Sequence, residues 1–165
     1  MGVSFKGDPT ARGFFAPLRF EATLIDCEVD GEIPPGLNGS FYRSCIDRRY
    51  PPRFPDDTPY NSDGAVDLFR FTNGHVDFRS RYIQTPRLKA ETAARRALFG
   101  RYRNRGTYDP SARDISPNTG NTTPIIHHGR LFSLKEDSPP MAMDPDTLAT
   151  IGEWDFHGQM RAKTF

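Results

Sequence analysis

Between Val66 and Tyr82 the chain alternates apolar and polar residues on either side of Asn73-Gly74, and this pair constrains the fold more than any other feature. Asn and Gly both tolerate left-handed backbone, so a two-residue type I′ turn is favoured, and its twist suits a pair of antiparallel strands. The turn fixes the register: Phe71 lies opposite Val76, Phe69 opposite Phe78 and Arg70 opposite Asp77. One face of the hairpin is then apolar, and the other is expected to carry a cross-strand Arg70–Asp77 ion pair. His75, beside the turn, reads as a solvated histidine. A second hairpin is expected from Asn121 to Asp137, with Ile125 and Ile126 going out, His128-Gly129 turning, and Leu131, Phe132 and Leu134 returning to Lys135-Glu136-Asp137. The charges that end this strand admit two readings. They are solvated at a strand exit, or Lys135 and Glu136 alternate to opposite faces and one or both point into a cavity.

The rest of the chain is built of short pieces. Fifteen prolines and 14 glycines, with a hydrophobic share of 36% against the usual ~45–50%, argue for turns and strands rather than long helices. The 165 residues allow about one domain, with residues 1–17 as a loose arm and 18–165 as the folded part. Alternation from Leu18 to Leu24, continuing over Asp26 to Val29, predicts an edge or closing strand, and Ser40 to Cys45 a second. The proline-rich stretch from Asp47 to Pro59 reads as a long loop of the kind that often carries function. Thr85-Pro86 opens the only helical pattern, over residues 88–102, which Gly100 can end and which fits a helix capping the end of a sheet. Residues 103–123 have loop composition. From Pro124 onward, four short strands follow at roughly eight-residue spacing, the last near Thr150 to Phe156. This meander is what one blade of a β-propeller looks like, although a sandwich also fits. A blade cannot bury its own faces, and repeat folds need about three units, so the chain reads as incomplete.

Several function classes are disfavoured. A net charge of +1, with arginines interleaved among acids, gives no nucleic-acid surface. Two cysteines, Cys27 and Cys45, make neither a disulfide framework nor a zinc cluster and read as buried thiols in a reduced compartment. No apolar run reaches the ~18 residues of a membrane span, and no signal-peptide core is present, so the expectation is a cytoplasmic protein without a transmembrane segment.

Four ordered stretches, GEIPPGLNGSFYR, NSDGAVDLFRFTNGHVDFRSRYIQT, NTTPIIHHGRLFSLKEDSPP and DPDTLATIGEWDFHG, closely resemble the N-terminal third of the carotenoid cleavage oxygenases. The resemblance runs from about Leu18 to Phe165. It implies an all-β fold, the N-terminal part (about two blades plus a short cap helix) of a seven-bladed β-propeller. It also implies a non-haem Fe(II) held by four histidines, with O₂ as co-substrate, and cleavage of a carbon–carbon double bond into two carbonyl products.

Within that family the chain is most similar to the stilbene-cleaving lignostilbene dioxygenases, at FGRYRN and LKED. Carried over, Tyr102 and Lys135 are the catalytic, substrate-binding pair that holds the phenol of a small aromatic substrate. A lysine beside a phenol stabilises the phenolate, and a phenolate para to an alkene pushes electron density into the bond that reacts. Tyr60 falls where those enzymes place a phenylalanine against the substrate ring. Glu136 matches a glutamate that accepts a hydrogen bond from an iron-bound histidine and so fixes the ligand's orientation.

Departures from the family are also informative. Ser62-Asp63-Gly64-Ala65 stands for the usual Gly-Asp-Gly-Met, and Ser44-Cys45 for the usual glycine-containing pair, where a lost glycine is expected to strain a turn. The four histidines, His75, His127, His128 and His157, match no iron ligand, and the first ligand would fall a few residues past Lys163-Thr164-Phe165. Metal ligands within this chain are therefore expected to be none. The alternatives are an apocarotenoid-cleaving oxygenase, disfavoured by Lys135, and a truncated, non-catalytic chain. The resemblance leaves room for a homodimer of the full-length protein.

Overall fold

In the computed structural model, Asn73 (φ 51°) and Gly74 (φ 84°) both adopt left-handed backbone. They join β3 (Gly64–Thr72) to β4 (His75–Tyr82) in the expected register, with Phe71 opposite Val76 and Phe69 opposite Phe78. The structure describes residues 3–9 and 11–160; residues 1, 2 and 10 of the arm, and the end from 161 to 165 with its Lys163-Thr164-Phe165, lie outside the described residues. Arg70 and Asp77 are opposite one another but do not pair. Arg70 reaches the Asp146 carboxylate instead, and Asp77 accepts the backbone N–H of Asp26 at 2.8 Å. A long arginine side chain on a twisted strand can reach a charge on the next sheet as easily as one across the ladder.

Two strands complete this sheet. β2 (Gly39–Ile46) lies beside β3, and β1 (Ala22–Leu24) covers the free edge of β4, giving the order β1-β4-β3-β2. β1 is the expected edge strand, but it is short: Asp26 turns left-handed (φ 54°), so the pairing does not run on to Val29. The second sheet is a plain meander, β5 (Pro124–His127), β6 (Arg130–Lys135), β7 (Ser138–Met143) and β8 (Thr150–Glu153), all antiparallel. His128 (φ 47°) and Gly129 (φ 73°) make its first turn. Trp154 sits just past β8 rather than within it, its N–H on the Pro140 carbonyl at 2.9 Å.

The deep core lies between the sheets. Val66 and Leu68 of β3 and Ile83 pack against Leu131, Met141, Met143 and Leu148, all at most 4% exposed. The core face of β3 is therefore the face opposite Phe69 and Phe71: Val66 and Leu68 share it with Arg70 and, across the ladder, with Asp77, Arg79 and Arg81. The phenylalanine face is only half buried: Phe41, Phe69 and Phe78 form a cross-strand ladder with ring centroids 6.3 and 4.9 Å apart, and Phe41 is 56% exposed.

Between the sheets runs part of the segment that has loop composition. Asn118, Thr119, Gly120 and Asn121 are buried, so their polar groups need partners. Asn118 donates to the Pro139 carbonyl (2.8 Å), Asn121 donates to the carbonyls of Tyr60 and Ser62 (2.8 Å each), and the Thr119 carbonyl accepts the Gly64 N–H (3.1 Å). A Cβ built on Gly64 would collide with the Thr119 carbonyl oxygen, which explains a glycine there. Ser62, where a lost glycine was expected to cause strain, is extended (φ −91°) and needs none; its hydroxyl accepts from Arg48 Nε at 3.0 Å.

The helix α1 (Pro86–Ala94) begins as expected, with the Thr85 hydroxyl accepting the Leu88 N–H at 3.0 Å. It ends well before Gly100, because Arg95 turns left-handed (φ 54°) and the buried Glu91 carboxylate takes the N–H groups of Leu98 and Phe99 at 2.8 and 3.1 Å. Within it, Arg87 and Glu91, one turn apart, form a buried pair at 3.7 Å. Nearby, the arm's Asp8 is buried in an ion pair with Arg48 at 3.0 Å. The two cysteines are free and half buried rather than fully buried, and burial together with a hydrogen bond to Asp67 pushes the Cys45 thiol up to about 12, far from a reactive thiolate.

Gly64→Ala should lower stability by about 1–3 kcal/mol, read as a lowered thermal or urea midpoint, because rigid backbone blocks the added methyl. Asp63 is buried, its Oδ1 has no hydrogen-bond partner among the described residues, and burial pushes its pKa up to about 6 against the pull of Arg87. A raised carboxyl pKa means the folded state holds the proton more tightly. The contribution is thus full below the unfolded pKa of ~4 and lost as pH rises through about 6. Asp63→Asn should therefore gain stability relative to the parent between about pH 4 and 7, measured by unfolding midpoints across that range.

Candidate functional site

Along β6, Leu131, Ser133 and Lys135 project to one side of the strand, as alternate residues must, and all three are buried. The row begins in the core and ends in an ammonium group. Lys135 is 4% exposed; its Nζ lies 3.0 Å from Glu136 Oε2 and 4.8 Å from the centre of the Tyr102 ring. The expected separation of Lys135 and Glu136 to opposite faces does not occur. β6 stops at Lys135, Glu136-Asp137 is the turn into β7, and strand alternation ends with the strand. Glu136 instead lies against Lys135, half exposed, its carboxyl held below the usual range by a backbone hydrogen bond first and by Lys135 second.

Tyr102 arrives from the loop after α1. Its N–H donates to Asp57 Oδ1 at 3.0 Å, and Asp57 Oδ2 accepts from Asn61 Nδ2 at 2.6 Å. Asn61 also donates to the Gly100 carbonyl (2.9 Å) and accepts from Arg87 Nη1 (2.6 Å). One amide thus ties the proline-rich loop, the helix and the Tyr102 loop together. Beside Tyr102, the Arg103 guanidinium lies 5.0 Å from its ring centre and donates to Asp137 Oδ2 at 3.2 Å.

Tyr102 and Lys135 line one open cavity of 510 Å³, with Asn61, Arg103, Tyr108 and Asp137. Of the four residues singled out from sequence, these two come together in its wall. Glu136 is behind Lys135, and Tyr60 is on a short 3₁₀ turn (Pro59–Asn61) next to the wall, 70% exposed. Sequence reading missed Asn61, Arg103 and Asp137. The last two stood inside the very motifs quoted, FGRYRN and LKED, one and two residues from the pair that was chosen; for Asn61 no local signal exists. The wall is basic and aromatic, and two of its cations, Arg103 and Lys135, are already paired with acids.

Among the described residues, no group of three or more His, Cys, Asp or Glu is placed to hold a metal ion. These residues do not make an iron site. No helix among the described residues is long and apolar enough to cross a membrane.

Two four-stranded sheets with a loop-walled pocket at their junction match blades of a β-propeller. The model of the retinal pigment epithelial membrane protein family matches residues 15–165. The chain belongs to this family, that of the carotenoid cleavage oxygenases. It is 48% identical over 153 residues to lignostilbene-alpha,beta-dioxygenase isozyme III of Sphingomonas paucimobilis, covering 93% of the chain and 31% of that relative. It is 43% identical over 164 residues to isoeugenol monooxygenase of Pseudomonas putida, covering 99% and 34%. The crystal structure of Pseudomonas brassicacearum lignostilbene dioxygenase superposes with a TM-score of 0.94 at 43% identity, over 99% of this chain and 34% of that one. Cobalt-substituted Synechocystis apocarotenoid oxygenase gives 0.72 at 25% identity, over 89% and 32%. The chain thus spans about a third of the length of the relatives it matches.

Proposed function

We propose that this chain supplies the phenol-holding wall of a dioxygenase that cleaves the central double bond of a 4-hydroxystilbene or lignostilbene-type substrate into two aromatic aldehydes. The observation that carries the reading is the ammonium of Lys135, 4% exposed yet facing a cavity beside a tyrosine. A buried cation costs several kcal/mol unless an anion meets it, and the half-exposed Glu136 offsets only part of that cost. A phenolate oxygen in the cavity is a second, better-placed anion.

Lys135 then lowers the energy of the phenolate relative to the phenol, and the Tyr102 hydroxyl donates to the same oxygen and fixes the ring. Negative charge para to the alkene raises the electron density of the bond to be cleaved. Tyr60, beside the wall, is the aromatic contact for the ring, its hydroxyl the one addition to the phenylalanine of similar enzymes. Fe(II) would supply the oxygen chemistry, and Glu136 would accept the N–H of a histidine that holds it. The names of several relatives point to lignostilbene, resveratrol and isoeugenol, and each of these compounds joins a phenol to a conjugated alkene.

Lys135→Met in the full-length protein should lower kcat/KM for 4-hydroxystilbene by about 10- to 100-fold, the loss expected for one hydrogen bond to a charged group, while 4-methoxystilbene is turned over no worse than before. Unchanged turnover of the phenol would contradict the reading, and improved selectivity for an apocarotenoid would support that substrate class instead.

A further inference from the structure

Arg103 is the single residue of the cavity wall with left-handed backbone, φ 57°, a conformation unfavourable for an arginine. Such a conformation persists where the surroundings fix it, and here they do. Its Nε donates to Asp137 Oδ2 at 3.2 Å, and its guanidinium lies 5.0 Å from the centre of the Tyr102 ring. Asp137 belongs to the turn that follows Lys135, whose own Nζ is 4.8 Å from the same ring. Tyr102 is therefore tied to the end of β6 through two cations, while its backbone is tied elsewhere, to Asp57.

We propose that Arg103, anchored by Asp137, is a positioning residue for Tyr102 and, through its hydroxyl, sets the preference for a phenolate over a methyl ether. The inference rests on the phenol-binding reading above. A cation over the face of a phenol ring draws electron density from it, so the hydroxyl becomes a better donor and a poorer acceptor. A better donor favours a substrate oxygen that carries negative charge. The ordinary alternative is an ion pair with Arg103 57% and Asp137 25% exposed that shapes a surface turn and contributes nothing to binding.

A double-mutant cycle in the full-length protein separates the two, with 4-hydroxystilbene and 4-methoxystilbene binding measured without oxygen and folding checked by thermal midpoint. Arg103→Ala should weaken hydroxystilbene binding by about two- to fivefold, the range for an exposed cation–π contact. It should change nothing in a Tyr102→Phe background and nothing for the methyl ether. Asp137→Asn, which keeps the guanidinium but loosens it, should reproduce part of the effect, and Arg103→Lys should restore part of it. Equal weakening in both backgrounds, or no weakening in either, overturns the inference. Lys135→Met in the same assay tests the parent reading: loss of the phenol preference there beside an inert Arg103→Ala sinks only the Arg103 role, whereas an intact preference in Lys135→Met sinks both.

Discussion

The buried run Asn118-Thr119-Gly120-Asn121 is the constraint on which the rest depends. Irregular backbone in the interior is costly unless its polar groups find partners, and here most of the partners come from the two sheets, the Thr119 hydroxyl being left without one among the described residues. Gly64 of β3 and the Pro139 carbonyl of β7 are bound to the same four residues, so the distance between the sheets is set by hydrogen bonds as well as by Val66, Leu131 and Met141. The Ser133 hydroxyl bonds the Gly120 carbonyl, which places the row of β6 that ends in Lys135. Asn121 holds the carbonyls of Tyr60 and Ser62, which places the opposite wall.

The pocket accordingly has one rigid side and one assembled side. Lys135 is on a strand in the core; Tyr102 and Arg103 are on a loop held by Asp57, Asn61, Arg87 and Asp137. Side-chain networks of this kind specify geometry when fully satisfied, and Asn61 uses both its amide and its carbonyl oxygen. Much of the network is arginine, whose planar guanidinium can pair with an acid and lie over a ring at once. Arg87 does this with Glu91 and Phe99, and Arg101 with Asp56 and Phe54.

Local chemistry made the strands legible. Asn73-Gly74 and His128-Gly129 each set a register that the residues around them support, and four strands after Pro124 form one meander. Non-local choices were not legible. Nothing near Arg70 says that Asp146, far along the chain, is a nearer partner than Asp77. The early end of α1 depends on Glu91 capturing the N–H groups of Leu98 and Phe99 beyond the helix, and a stretch of Pro, Asn, Thr and Gly looks the same buried as exposed. Of the site, Lys135 and Tyr102 were identified by resemblance and share a cavity, whereas Asn61 acts only through partners from three separate segments. Sequence distance hides such a hub.

The central claim is that this pocket holds a phenol as its anion. Its most direct test is the absorbance of 4-hydroxystilbene bound to the full-length protein without oxygen, followed as pH is raised from 6 to 11 in about half-unit steps, since an adjacent ammonium should lower a phenol pKa from its ordinary value near ~10. The account predicts that the red-shifted phenolate band develops at lower pH for bound than for free ligand, and that Lys135→Met abolishes the difference. A bound ligand that ionises at the same pH as free phenol, or higher, would contradict it.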